Sequence, residues 1–110
     1  MAKLAIWAVM ESKEGKEHEV EEFLQSAQPL AEKEAGTLTW YALKLGPTKF
    51  AIFDTFSAEE GREAHLAGEI AKELLAKAPD LFAKDPEIHK IDVLAFKAHL
   101  SGRKQKSARA

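Results

Sequence analysis

Cysteine is absent from the 110 residues, which excludes a disulfide framework, a thiolate nucleophile and a thiolate-held metal. The four histidines, His18, His65, His89 and His99, never fall at a metal-ligand spacing such as H-x-x-x-H, so no metal site is expected. Glycine-rich phosphate loops, dinucleotide fingerprints and G-x-S-x-G elbows are missing too. No apolar run is long enough to span a bilayer, and MAKLAIWAVM lacks a signal-peptide cleavage pattern. A cytoplasmic protein with no membrane partner is expected. Charge of one sign is scarce as well: the formal net charge of -2 gives no electrostatic case for nucleic acid.

What remains is an ordinary globular mixture, 45% hydrophobic and 31% charged. The length fits a single domain, expected over residues 1–97, followed by a polar, basic tail at 98–110 expected to be disordered. Domains of this size leave about a third of their surface uncovered, so any surplus apolar face invites a partner subunit.

Lys3–Met10 (KLAIWAVM) is apolar almost throughout, the pattern of a strand buried on both faces. A helix is predicted from about Lys16, with Val20, Phe23, Leu24, Ala27 and Ala31 on one stripe, bent or broken by Pro29 near Gln25–Gln28. Thr37–Leu45 and Lys49–Phe56 are rich in β-branched and aromatic residues, and Gly46-Pro47-Thr48 predicts a hairpin turn between them. Ser57-Ala58-Glu59-Glu60 reads as a capping box opening a helix to about Ala67. After Gly68 a second apolar stripe (Ile70, Leu74, Ala78) runs to Pro79, and Glu87–Lys97 is the last predicted strand. The order β-α-β-β-α-β is the ferredoxin-like arrangement, an α+β fold with a four-stranded antiparallel sheet and helices on one face. Neither Ile6–Val9 nor Trp40–Leu43 alternates with polar residues. The second face must therefore be covered, and a twin sheet is the simplest cover. A homodimer packed sheet to sheet is expected.

Within FDTFSAEEGREAHL, alternation places Phe50, Ile52, Asp54 and Phe56 on one strand face and Ala51, Phe53 and Thr55 on the other. On the following helix, Gly61, Ala64, His65 and Gly68 form one stripe that should face the sheet. Two readings compete. Such small residues leave a void beside His65, lined by aromatic side chains and suited to a small apolar ligand; or they permit close helix packing, with His65 satisfied by a backbone carbonyl. Asp54 likewise either accepts hydrogen bonds from the backbone or Arg62, or orients His65 as a general base or proton shuttle.

The run GTLTWYALKLGPTKFAIFDTF and the segment EEGREAHLAG resemble the antibiotic biosynthesis monooxygenase family, in its quinol-monooxygenase-like branch. The resemblance spans about Lys3–Lys97 and rests on Glu34-Ala35-Gly36-Thr37, Trp40-Tyr41-Ala42, Phe53-Asp54-Thr55-Phe56 and Gly61-Arg62 with Ala64-His65-Leu66. It implies a dimeric α/β barrel that oxidises an electron-rich phenol or quinol with dioxygen, without metal or flavin. Haem-degrading relatives use an asparagine, a tryptophan and a histidine; this chain has no asparagine and carries Ala8, His65 and Leu75 at those places. Haem degradation is disfavoured, and so is the substrate of the anthrone-oxidising members.

The expected activity is thus cofactor-independent monooxygenation of a hydroquinone-like or polycyclic phenol. His65 and Asp54 are the expected catalytic pair and Arg62 a counter-charge to the anion. Trp7, Trp40, Tyr41, Phe53, Phe56 and Gly61 are candidate substrate contacts, although alternation sends about half of the aromatic walls to the dimer face. The alternative is a non-catalytic small-molecule-binding or signalling dimer of the same fold.

Overall fold

The computed structural model describes residues 1–98, so the tail expected at 98–110 lies, but for Ala98, outside the described residues. Four strands, β1 (Leu4–Glu11), β2 (Thr37–Lys44), β3 (Lys49–Phe56) and β4 (Glu87–Asp92), form one antiparallel sheet in the order β2-β3-β1-β4. The helices are α1 (Glu17–Ser26), α2 (Gln28–Glu32), α3 (Glu59–Leu66) and α4 (Glu69–Leu81). The architecture is α+β and ferredoxin-like, with split crossovers.

Pro29 ends α1 rather than bending it. Its ring supplies no N–H for a bond back into α1, and it sits instead in the first turn of α2, where none is needed. Gly68 separates α3 from α4 as expected, donating its N–H to His65 O at 3.0 Å. Three boundaries differ from expectation. The helix expected to run to Pro79 continues through it, so that α4 ends at Leu81 with the proline inside. The capping box does not form: Ala58 is the N-cap of α3, with no side-chain cap. The last strand stops at Asp92 rather than Lys97, because the edge strand has β1 to pair with only as far as Leu4.

Register aligns Ile6, Asp54 and Trp40 across β1, β3 and β2, so Asp54 lies on the helix face of a central strand. Around it Ile6, Met10, Phe50, Ile52, Phe56, Val20, Leu24 and Leu74 form the main core. Burying a side chain of that size contributes about 1.5–3 kcal/mol. The opposite face carries Trp7, Phe53 and Tyr41 in a contiguous row, with ring centroids 6.5 Å and 6.4 Å apart. Tyr41 is half exposed there, as is Ile91 to a lesser degree.

Candidate active site

Asp54 is fully buried among apolar neighbours, a position tolerable for a carboxylate only beside a compensating charge. That charge comes from α3. His65, on the sheet-facing side of the helix, brings Nε2 to 2.8 Å from Asp54 Oδ2. The contact is close but not linear, and neither Asp54 oxygen has an aligned hydrogen-bond donor. On its other side the ring meets a second carboxylate: Nδ1 is 2.6 Å from Glu34 Oε1. Thr37 Oγ1 donates to the same Glu34 oxygen at 2.7 Å. The Phe56 ring packs against the imidazole, with centroids 5.5 Å apart.

A neutral imidazole has one N–H and an imidazolium has two. Two carboxylates facing the two nitrogens therefore favour the cation. Burial alone would push the His65 pKa down, but Asp54 and then Glu34, through hydrogen bonding and charge, outweigh it and hold the value above the usual histidine range. Exposure rises along the row, with side-chain values of 0% at Asp54, 7% at His65 and 20% at Glu34. The row runs from the core to the surface.

The structure brings His65 and Asp54 together and separates most of the other expected contacts from them. Arg62 does not touch Asp54. It is buried, donating from Nη1 to Ala5 O (3.3 Å) and Ile91 O (3.2 Å) and from Nη2 to Glu59 Oε1 (2.7 Å). Three residues apart on a helix, Arg62 and His65 diverge by about 60°; one turns to β1 and β4, the other to β3 and the segment before β2. Arg62 is thus a tether for the edge strand, not a counter-charge at the site. Trp7, Tyr41 and Phe53 lie on the far face of the sheet and cannot line a pocket shared with His65. Phe56 is a core residue with no exposed surface.

Gly61 lines no void either. A Cβ built on it would lie 2.7 Å from Gly36 O, and one built on Gly36 would lie 2.7 Å from Gly61 Cα. Backbone meets backbone there, so the small stripe is a close-packing seam, and Ala64, assigned to the same stripe, is exposed. Because both ring nitrogens face carboxylates, His65 also has no free lone pair with which to act as a base at rest; of its two expected roles, proton shuttle is the one this geometry permits.

Trp40 remains on the helix face, opposite Asp54 and packed on Ala27, Ala31 and Ile70. Its indole N–H is buried without a hydrogen-bond partner. Beside it, between α2 and β2, an open cleft of about 140 Å³ is walled by Gln28, Ala31, Glu32, Thr37, Leu38, Thr39 and Trp40. That is close to the volume that holds a single benzene ring. Thr37 belongs both to this cleft and to the Glu34 contact. Sequence reasoning missed Glu34 as a site residue. It ends a glutamate-rich helical segment and lies 31 positions from His65, so no periodicity or spacing links the two. Among the described residues, no group of three His, Asp or Glu side chains is arranged to hold a metal ion, and no helix is long and apolar enough to cross a membrane.

Comparison with known proteins gives the chain its relatives. It is 46% identical to the NE2512 protein of unknown function from Nitrosomonas europaea, covering 92% of this chain and 98% of that one, with a TM-score of 0.88. A "putative antibiotic biosynthesis monooxygenase" from Nitrosomonas europaea has the same fold at 15% identity and TM-score 0.75, covering 84% of this chain and 91% of that one. Another, from Chloroflexus aurantiacus J-10-fl, matches at 16% identity and TM-score 0.67, covering 88% and 98%. No family model matches the chain, and no curated protein matches it.

Proposed function

We propose, from the premise that this chain belongs to one family with the NE2512 protein and has the fold of the antibiotic biosynthesis monooxygenases, that it is a monooxygenase oxidising a hydroquinone-like phenol with dioxygen. The observation that carries this reading is the Asp54–His65–Glu34 row, which runs from the core to the surface and touches, through Thr37, a cleft of single-ring size. A cleft of that volume favours a one-ring hydroquinone over a polycyclic phenol.

The chemistry asks for few groups. An electron passes from the ring to dioxygen as the phenolic proton leaves. The phenoxyl radical and superoxide then combine at a ring carbon, and loss of water from the resulting hydroperoxide leaves a new carbonyl. For a hydroquinone the products are a hydroxyquinone and one water, so dioxygen takes all four electrons from the substrate and no outside reductant is needed. Trp40 lines the cleft and offers apolar indole surface to the substrate ring. His65 holds its proton as a charged imidazolium beside the site, and Asp54 keeps it charged and oriented.

A second copy belongs to this reading. The Trp7, Phe53 and Tyr41 face is apolar and contiguous, and a twin sheet would cover it. The rival reading, a non-catalytic dimer, is favoured by the packing of Phe56 on His65 and of Gly61 on Gly36, which makes the row a strut of the core. Dioxygen uptake with a panel of substituted hydroquinones separates the two. Uptake above autoxidation, lost when Trp40 is replaced by Leu, supports the enzyme; a panel with no uptake above the buffer rate refutes it.

A further inference from the structure

Glu34 is assigned no role by the reading above, yet its contacts are built as a device. Its Oε1 is shared by two donors, His65 Nδ1 at 2.6 Å and Thr37 Oγ1 at 2.7 Å. It is the most exposed of the three charged members, at 20% against 7% and 0% for His65 and Asp54. Thr37 faces the Trp40 cleft. We propose that Glu34 is the outer member of a proton path, taking the substrate proton at Thr37 and passing it to solvent, while His65 stays parked as an imidazolium between two carboxylates. This rests on the reading of the cleft as the phenol site.

The charged groups around the imidazole are Asp54 from β3 and Glu34 from the segment before β2; Arg62, on α3 itself, turns away to Ala5 and Ile91. With His65 protonated, the row carries two negative charges and one positive. As the phenol gives its electron to dioxygen, its O–H proton passes to Thr37 Oγ1 while the threonine's own proton moves to Glu34 Oε1. Glu34 becomes a neutral acid, the row loses its net negative charge, and superoxide holds the electron. Water then takes the proton from the exposed side of Glu34, and a proton returned from solvent converts the peroxide anion, formed as superoxide adds to the ring, into the hydroperoxide that loses water. A fixed imidazolium suits this work: it holds Glu34 Oε1 in place beside Thr37 between turnovers, and Asp54 pins the opposite ring nitrogen.

Nitrogen-15 NMR of the histidine ring tests the path without relying on turnover. In the native protein at neutral pH both ring N–H protons of His65 are expected, with Nδ1–H exchanging with water faster than Nε2–H. In Glu34→Gln the amide oxygen still accepts the Nδ1–H bond but cannot take the proton. Exchange at Nδ1 should slow, and the His65 titration should move to lower pH; Glu34→Asp should restore both. In the activity arm, Glu34→Gln should lower kcat roughly 100-fold with KM held, and Thr37→Val should do the same while Thr37→Ser recovers. A neutral His65 ring in the native protein overturns the proposal whether or not Glu34→Gln folds, and unchanged Nδ1–H exchange in a folded Glu34→Gln with the bond retained overturns it as well. Should the NMR behave as expected while no hydroquinone drives dioxygen uptake, Glu34 is the imidazolium's link to solvent, and the monooxygenase reading falls together with the substrate's part of the path.

Discussion

His65 is the residue on which stability and chemistry meet. Its pKa is held above the ordinary 6.5 by Asp54 and Glu34 against the opposing effect of burial. A group whose pKa is raised on folding binds its proton more tightly in the native state, so its contribution is complete below about 6.5 and is lost as pH rises through the folded-state value. Stability should therefore fall with rising pH in the window above 6.5. His65→Gln should remove that part of the slope and, by leaving Asp54 buried beside no cation, cost about 3–5 kcal/mol at neutral pH. Urea midpoints of both proteins across that window measure it; a native curve no steeper than the variant's would dissolve the ion-paired row. Glu34 belongs to the same scale. Nothing in a glutamate-rich helix end distinguishes it until the fold sets it against a histidine from another helix.

At the scale of elements, the decisive contact is between α3 and the start of β2. Gly61 and Gly36 let two backbones meet with no side chain between them, and that approach brings Glu34 and Thr37 within reach of His65. A side chain at Gly61 must push on backbone atoms, which cannot rotate aside. Gly61→Leu should cost roughly 1–3 kcal/mol, whereas Ala64→Leu, on the exposed side of the same helix, should stay within about 0.5 kcal/mol of the native protein. Denaturation midpoints decide it, and a Gly61→Leu protein as stable as the native one would bring back the cavity. Arg62 does the second piece of element-level work. Every residue of β4 is exposed, and the guanidinium bonds to Ala5 O and Ile91 O hold that edge strand to β1 from the helix side.

For the whole molecule the open face of the sheet sets the expectation. Trp7, Phe53 and Tyr41 form one apolar row, with Tyr41 52% exposed. If twin sheets cover each other, light scattering should give a dimer mass at micromolar concentration. Tyr41→Glu, which adds a charge at an exposed position and touches no core residue, should yield a folded monomer. A native protein that scatters as a monomer would end the dimer proposal and leave the apolar row unexplained.

The order of strands and helices, the breaks at Pro29 and Gly68, and the placing of Asp54 on the core face were legible in the sequence, since each follows from local chemistry: proline's missing N–H, a turn at glycine, two-residue alternation. The pairing of His65 with Asp54 was within reach too, because a strand and the helix after it are joined by a short connection. Which aromatic residues share a face with His65, whether a glycine stripe is a void or a seam, and where Arg62 points all waited on tertiary structure. So did Glu34, brought to His65 across 31 residues. Alternation and periodicity carry no information about which distant backbone fills the space a small residue leaves; only the docking of α3 on β2 decides that, by bringing Gly36 against Gly61 and a second carboxylate against the imidazole.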